Sequence, residues 1–302
     1  HVSTPAGNSK WVRRDGARNP NSRIDSKQLV LLGKDLEVLT LACIALKDRK
    51  GCEHASTLLR TWFLTPGTRM NPHARYGTVI PGVGKPVFPV AEFSNVFSRV
   101  IDPIIALRGE NIISTRDYDA LVEWFRAFLG WMTSDPIAIR ARDAENNRGS
   151  HFDYLQALLA AFVSDTTRLQ QAIERHRHRL NSRFDPAGLQ PLEMKRNQSL
   201  RYHVFSLKGM LSLAIVARNS AGIDLYTGAD LQGRSIANGV TALLPFLADP
   251  SLWTEKVRAE RHILLRETCE MLFLAAQLDH RNQEIVRQLS GAASHCELPT
   301  RS

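Results

Sequence analysis

Ten consecutive residues of this 302-residue chain carry side chains that could do chemistry. The segment from Glu145 to Tyr154 contains two amides, a guanidinium, an imidazole and a phenol. Directly after it, Leu155, Leu158 and Leu159 recur at helical spacing. Polar residues at the entry of a helix are typical of an anion-binding site, and equally of an ordinary capped helix, where Asn, Ser and Asp are favoured. Both interpretations stay open on this segment alone.

Three further segments combine Arg, Asn and aromatic or imidazole side chains with turn-forming residues. They lie at 13–20, 62–76 and 190–205. In the last of them, Arg196 and Tyr202 flank the predicted start of a helix. Each segment taken alone is typical of a loop followed by a helix cap.

The composition describes a globular protein with an excess of positive charge. A net charge of +9 predicts an anionic partner, which could be nucleic acid, a membrane surface or an acidic polysaccharide. The 39 Lys and Arg residues are scattered along the chain, which argues against nucleic acid. No apolar run approaches the ~18 residues of a membrane span. The composition leaves a membrane surface and an acidic polysaccharide open as the anionic partner.

Four cysteines are present, and none of them forms a CxxC pair, so we predict no structural zinc site. Cys43 and Cys52 would lie close enough to bridge, and Cys269 could bridge to Cys296; four unpaired core thiols are the alternative. Two bridges would indicate an oxidising compartment. The first residue is His rather than Met, and we expect a processed, secreted protein.

Apolar periodicity predicts an almost entirely helical chain. Helical patterns cover about 26–48, 52–63, 151–163, 165–181, 199–218, 233–247 and 255–288, and Ser114 with Asp117 predicts another capped helix. The Pro- and Gly-rich stretch from 65 to 89 predicts a long irregular loop. Paired helices of this kind are typical of an all-α toroid or solenoid. We expect one domain over 1–302, with 1–25 as an extended N-terminal segment and 289–302 as a C-terminal tail.

Several chemistries are excluded by their missing motifs. The chain has no GxGxxG after a strand, no GxxxxGK[ST], no HExxH and no GxSxG. Its histidines form no ligand triplet with a carboxylate, so we expect neither metal nor cofactor. The alternating Arg and His residues of 175–179 predict a solvated basic face.

Taken together, the polar segments resemble a known family. Their order is RDGxxNP, WFxxPxTRMNPxxxY followed by IPG, ENNxGxxxD, QPLExxRxxSLxYxxF and GIDLY. This order is similar to that of the alginate lyase family of helical-toroid polysaccharide lyases, over about Arg13 to Phe246. The resemblance implies an (α/α) toroid or incomplete α/α barrel with a cleft for an acidic polysaccharide. It also implies β-elimination at a uronic acid.

The resemblance implies roles for individual residues. Tyr202 matches the tyrosine that serves as general acid and often as base, Asn147 the carboxylate-binding asparagine, and Arg196 the arginine six residues before the tyrosine. Removing the C5 proton of a uronate requires donors that neutralise the adjacent carboxylate, and a base and an acid that move protons. A free phenol titrates near pH ~10, so a tyrosine base needs cationic neighbours; Arg196 and Arg201 are the candidates.

One position departs from the family's pattern. The family usually reads Asn-Asn-His-Gly, and this chain has Arg148 in place of the histidine. Arginine can bind a carboxylate, but it cannot act as a base. His151 would share a helical face with Arg148 and could take over; the alternative is that His151 packs or caps. The result would be an active lyase with Tyr202 as base and acid, an altered specificity, or a binding protein that has lost catalysis.

Other residues of the matched segments are predicted to contact the substrate. They are Arg14, Asn71, His73, Tyr76, Asn146, Gln190, Glu193 and Arg201. The predicted function is a secreted, monomeric polysaccharide lyase that acts on alginate first and glucuronan second, with neither nucleic acid nor membrane as a partner. The alternative is a non-catalytic binder of acidic polysaccharide.

Overall fold

Helices make up most of the chain in this computed structural model, which describes residues 2–3, 11–12, 26–79, 86–253 and 261–279. The α-helices of these ranges are α1 (Ser26–Ala45), α2 (Arg49–Leu59), α3 (Val90–Gly109), α4 (Thr115–Ser134), α5 (Pro136–Arg142), α6 (Asn147–Phe162), α7 (Thr166–Arg183), α8 (Pro191–Met194), α9 (Ser199–Ala221), α10 (Ile236–Ala248) and α11 (Arg261–Leu278). A π-helical turn (Arg60–Leu64) continues α2, and a 3-10 turn (Pro250–Leu252) follows α10. Two antiparallel pairs of two-residue strands complete the list: β1 (Val2–Ser3) with β2 (Trp11–Val12), and β3 (Thr78–Val79) with β4 (Pro86–Val87).

The predicted helical patterns correspond to observed helices, and except for the last their ends differ by a few residues. The last, predicted over 255–288, is a helix over Arg261–Leu278, and 254–260 and 280–288 lie outside the described residues. The predicted capping pair is present, because the Ser114 hydroxyl accepts a hydrogen bond of 3.1 Å from the Asp117 backbone N–H. Helices α3, α5 and α8 were not predicted. The centre of α3 carries Pro103, and proline is unfavourable inside a helix. Burial of one face of α3, including Phe97 and Ile104, against neighbouring helices outweighs that cost.

The described chain divides into two compact units. The first comprises His1–Asp143 and Leu158–Thr166, and the second comprises Ala144–Ala157 and Thr167–Ser302. In the first unit α1 packs against α2 and α3, and α4 packs against α5. In the second unit α9 contacts α8, α10 and α11. The expectation of one domain over the whole chain stays a prediction.

A disulfide joins Cys43 to Cys52, as expected from their positions at the end of α1 and in α2. Their Cα atoms lie 4.8 Å apart, and both side chains are buried. Cys269 is also disulfide-bonded, whereas Cys296 lies outside the described residues. Among the helices that the structure describes, none is both long enough and apolar enough to cross a membrane.

Helix α6 is buried on every side from Gly149 to Ala160. The sequence pattern led us to expect one apolar stripe, but a helix surrounded by protein needs no polar face. Its buried polar side chains must therefore find partners inside the protein. Those partners build the candidate site.

Candidate active site

The first turn of α6 does hold an anion, and that anion is the protein's own Glu193. The Glu193 carboxylate accepts a hydrogen bond of 2.7 Å from the Asn147 backbone N–H. The side-chain amide of Asn147 also donates to this carboxylate, and its Nδ2 lies 3.0 Å from each of the two oxygens. The next two N–H groups are also used, since Arg148 donates to Asn146 Oδ1 and Gly149 donates to the Asn146 carbonyl. Asn146 is thus the N-cap, as the interpretation of a capped helix predicts. The binding of a ligand anion at this turn stays a prediction.

Glu193 also connects this turn to Arg196 and Tyr202. Glu193 lies in α8 and is almost fully buried. Burial raises the pKa of the Glu193 carboxyl, and its hydrogen bonds from Asn147 and the charge of Arg196 oppose that shift. Arg196 Nη1 lies 3.8 Å from Glu193 Oε2, and the Arg196 guanidinium stacks over the Tyr202 ring, 3.6 Å from its centroid. Asn147, Glu193, Arg196 and Tyr202 therefore form one continuous network.

Close packing of α6 on α9 sets the position of Tyr202, which lies in the first turn of α9. A Cβ atom on Gly209 would meet the His151 backbone nitrogen at 3.3 Å, so the two helices approach here almost backbone to backbone. His151 Nε2 lies 3.1 Å from the Phe205 carbonyl, and the two rings pack at an angle of 34° with their centroids 4.4 Å apart. The Ser150 and Ser206 hydroxyls lie 3.4 Å apart.

His151 is held in this contact as a neutral side chain. A carbonyl can only accept, so Nε2 carries the proton. The residue is 1% exposed, and burial lowers the pKa of its imidazole to about 3. This geometry favours the alternative in which His151 packs, over its predicted role beside Arg148.

The prediction of a solvated basic face at 175–179 is wrong for three of the five residues. Arg175 Nε and Arg179 Nη1 bind the two oxygens of the buried Asp153 at 2.5 and 2.8 Å. His176 is buried, and that burial lowers its pKa to about 3. Only Arg177 and His178 face solvent. The buried carboxylate on α6 draws the arginines inward, because a buried charge requires a partner.

Two predicted substrate contacts are instead committed to the protein. The buried Gln190 donates its backbone N–H to His203 Nε2 at 2.9 Å and its side-chain amide to the His203 carbonyl at 3.2 Å. Arg201 binds both oxygens of Glu267 at 2.9 and 2.7 Å and also donates to Gln198. These contacts favour structural roles for Gln190 and Arg201.

The predicted contacts Asn71, His73 and Tyr76 lie in the first unit. Tyr76 is 69% exposed, and the His73 ring lies between those of Tyr76 and Trp131, at 6.1 and 6.2 Å. Arg14 lies outside the described residues. Within the described ranges, no group of His, Cys, Asp and Glu side chains is arranged to hold a metal ion.

Arg183 is the site residue that the sequence reasoning missed. Its Nη1 donates to the Asn146 carbonyl at 2.6 Å and to Ser150 Oγ at 2.7 Å. A signal was available: Arg175, Arg179 and Arg183 recur every four residues and so share one face of α7. Asp153 lies within the apolar run of α6 and needs a cationic partner there, which indicates that the arginine face of α7 packs against α6.

A mostly helical fold in which one buried carboxylate joins an amide to a guanidinium, and the guanidinium stacks on a phenol, fits a helical polysaccharide lyase. The chain belongs to the alginate lyase family, whose profile matches residues 2–253. A crystal structure of an alginate lyase from Bacteroides ovatus is similar, with a TM-score of 0.85 and 28% identity over 94% of this chain and 76% of that chain.

Two structures of a His-to-Ala variant of alginate lyase A1-III are more distant and indicate the fold alone. The complex with a tetrasaccharide has a TM-score of 0.56 at 16% identity, over 78% of this chain and 63% of its own. The apo form has a TM-score of 0.53 at 15% identity, over 92% and 77%. The predicted all-α fold of the toroid or incomplete-barrel class is confirmed. A comparison with curated protein sequences found no match.

Proposed function

We propose that the protein cleaves a polyuronate by β-elimination, with alginate rich in mannuronate as the first substrate and glucuronan as the second. The observation that carries the proposal is the stacking of Arg196 on Tyr202, at 3.6 Å, within the network that leads to Asn147. The guanidinium lies over the ring as a cation–π contact and holds the Tyr202 ring beside the donors of that network. Tyr202 therefore lies where a tyrosine could serve as a base.

The elimination moves one proton and breaks one bond. Tyr202 takes the proton from C5 of the uronate, the C5–H electron pair forms the C4–C5 double bond, and the C4–O4 bond breaks. O4 leaves with the proton that Tyr202 returns to it, so the enzyme is unchanged. The products are a new chain end on the O4 side and an unsaturated uronate on the other. Asn147 and Arg148 supply the donors that stabilise the carboxylate as charge develops at C5.

Glu193 has a different role in this proposal from the substrate contact predicted for it. Its carboxylate fixes the amide plane of Asn147 through three close contacts. A negative carboxylate would repel a uronate, so Glu193 acts through Asn147 and Arg196 rather than on the sugar. Arg196 compensates its charge from 3.8 Å.

The alternative is a protein that binds the polyuronate without cleaving it. Arg148 supports this alternative, since an arginine binds carboxylates but cannot accept the C5 proton. The variant Arg148→His separates the two proposals. A binder that lost its base would gain activity in this variant, whereas a lyase that uses Tyr202 as base would not depend on an imidazole at 148.

The deciding experiment follows the absorbance of the unsaturated product with polymannuronate, glucuronan and a glycosaminoglycan as substrates. We expect product from the first, and a loss of about 10²- to 10⁴-fold in kcat in Tyr202→Phe, as general acid–base groups contribute. Tyr118→Phe, a matched change in α4, should leave kcat unaltered. Binding of polymannuronate without product from any polyuronate would reject the lyase and retain the binder. Full activity of Tyr202→Phe would remove Tyr202 from the mechanism.

Secretion is part of the proposal. The Cys43–Cys52 disulfide supports it, because such bonds persist in oxidising compartments.

A further inference from the structure

Arg183, at the end of α7, contacts both sides of the turn that begins α6. One nitrogen, Nη1, donates to the Asn146 carbonyl at 2.6 Å and to Ser150 Oγ at 2.7 Å. Asn147 and Arg148 lie between these two acceptors in the chain. A single guanidinium therefore bridges the segment that carries the proposed carboxylate donors.

This arginine is buried, which is unusual for a charged side chain. Arg183 is 5% exposed. Burial lowers its pKa to about 10, while the charges of Asp153, Glu193 and Glu145 oppose that shift. The side chain is thus still a cation at neutral pH, held where desolvation opposes its charge. An arginine that only formed an ion pair could do so at the surface without this cost of burial. The burial of Arg183 therefore indicates a role for its contacts with the turn.

Gly149 makes the placement sterically feasible. A Cβ atom at this position would lie 2.8 Å from Arg183 Nη2 and 3.0 Å from Arg179 Nη1. The absence of a side chain at Gly149 lets the guanidinium groups lie directly against the α6 turn. Gly149 of the NNxG motif and Arg183 of α7 therefore act together: the glycine leaves the space in which the guanidinium contacts the turn.

The other arginines of the same face hold α6 further along. Arg175 binds Asp153 and Gln156, and Arg179 binds Asp153 with only a long contact of 3.4 Å to the Gly149 carbonyl. Arg175 makes the same kind of charged, partly buried contact with α6, but none with the turn at 146–150. It is therefore a matched control for Arg183.

We propose that Arg183 is a positioning residue for the elimination, which fixes the 146–150 turn so that Asn147 and Arg148 meet the substrate carboxylate in one geometry. The inference rests on the proposed function for its catalytic consequence, but the effect on the turn does not depend on it. A displacement of about 1 Å in a catalytic group can lower the rate by about 100-fold. Since Arg183 is buried and its Nη1 donates to two acceptors within the protein, its loss should lower kcat much more than it raises KM.

The test compares Arg183→Met, Arg183→Lys and Arg175→Met with the wild type by kinetics, urea unfolding and amide hydrogen exchange of the 145–152 segment. We expect Arg183→Met to lose 10- to 100-fold in kcat, as for a misplaced group, with KM nearly unchanged. Exchange of the segment should rise at least about tenfold, as when a local hydrogen-bonded turn opens more easily. Arg183→Lys, which keeps a buried donor, should recover part of both effects. Arg175→Met should lose stability but keep kcat and the slow exchange of the turn.

The two proposals can fail separately. If the wild type forms no product, the proposed lyase fails, and the affinity for polymannuronate replaces kcat as the readout for Arg183. Arg183→Met would then bind more weakly than Arg175→Met. Equal exchange at 145–152 in Arg183→Met and Arg175→Met, or equal losses of kcat or affinity, would overturn the positioning role of Arg183 in either case.

Discussion

Replacing Gly149 by alanine tests whether the first turn of α6 depends on the close approach of Ala144 and Arg183 to Gly149. In most helices Gly→Ala is stabilising, by up to about 1 kcal/mol, because alanine restricts the unfolded chain and favours the helix. At Gly149 the added Cβ would lie 2.0 Å from the Ala144 carbonyl oxygen. It would also lie 2.8 Å from Arg183 Nη2 and 3.0 Å from Arg179 Nη1. The expected sign is therefore reversed.

The magnitude follows from what must move. The Ala144 oxygen belongs to the backbone, so the turn has to shift by about 1.4 Å before the contact lengthens from 2.0 Å to an ordinary van der Waals distance of about 3.4 Å. Overpacking of this kind costs about 1–3 kcal/mol, and weakening one charged hydrogen bond of Arg183 adds about 1.5 kcal/mol. After the helix-propensity gain of up to about 1 kcal/mol is subtracted, we expect a loss of about 1.5–3.5 kcal/mol in the free energy of unfolding. The same shift should lower kcat by about 100-fold.

Gly130 provides the control. It lies inside α4, and a Cβ atom built on it meets nothing within 4 Å. Gly130→Ala should raise the free energy of unfolding by about 0.5–1 kcal/mol. Urea unfolding of both variants and the wild type, with kcat on polymannuronate, makes the comparison. If Gly149→Ala were as stable and as active as the wild type, the close contact with Ala144 and Arg183 would be refuted as the basis of the site.

Three further predictions concern the network, a buried imidazole and the disulfide. Glu193→Gln places an amide donor against Asn147 and should lower the free energy of unfolding by about 1–3 kcal/mol, measured in urea; an unchanged midpoint would contradict the hydrogen bonds described for Glu193. Burial lowers the pKa of His151 in the folded protein to about 3, so as the pH falls the imidazole is protonated first in the unfolded chain. The stability that the neutral His151 contributes is therefore complete above pH ~6.5 and is lost as the pH falls toward 3. Between pH 7 and 5 the wild type should therefore lose about 2 kcal/mol more than His151→Gln, which does not titrate; parallel curves would show that His151 titrates normally. Replacing both Cys43 and Cys52, which are nine residues apart, by serine should lower the free energy of unfolding by about 2.6 kcal/mol through lost loop entropy. If the wild type had the same thermal midpoint under reducing and oxidising conditions, that contribution would be excluded.

Local patterns predicted the helices whose own residues specify them. Ser114 caps α4 through a hydrogen bond to a residue three positions on, and such signals are local by nature. The exceptions were α3, α5 and α8. Of these, α3 carries Pro103, which contradicts the local rule, and its stability comes from burial against other helices. Burial of that kind depends on residues far away in the chain, which periodicity does not report.

The residue types of the site were predictable, but their partners were not. Asn147, Arg196 and Tyr202 stood out by their place in the ordered motifs. Nothing local indicated that the anion at the start of α6 would be Glu193, 46 residues further on. Gln190 and Arg201 were singled out for substrate by the same motifs, yet their polar groups are used by His203 and Glu267.

The sequence by itself determined the helical class, the family and the residues around which its chemistry turns, because caps, spacings and motifs are recorded along the chain. Only the tertiary structure decided which of the polar groups hold the fold. The physical reason is burial: a charged or imidazole side chain inside the protein must be paired. That requirement turned Arg175 and Arg179 toward Asp153, made His151 a neutral packed residue, and placed Arg183 against the turn that carries Asn147.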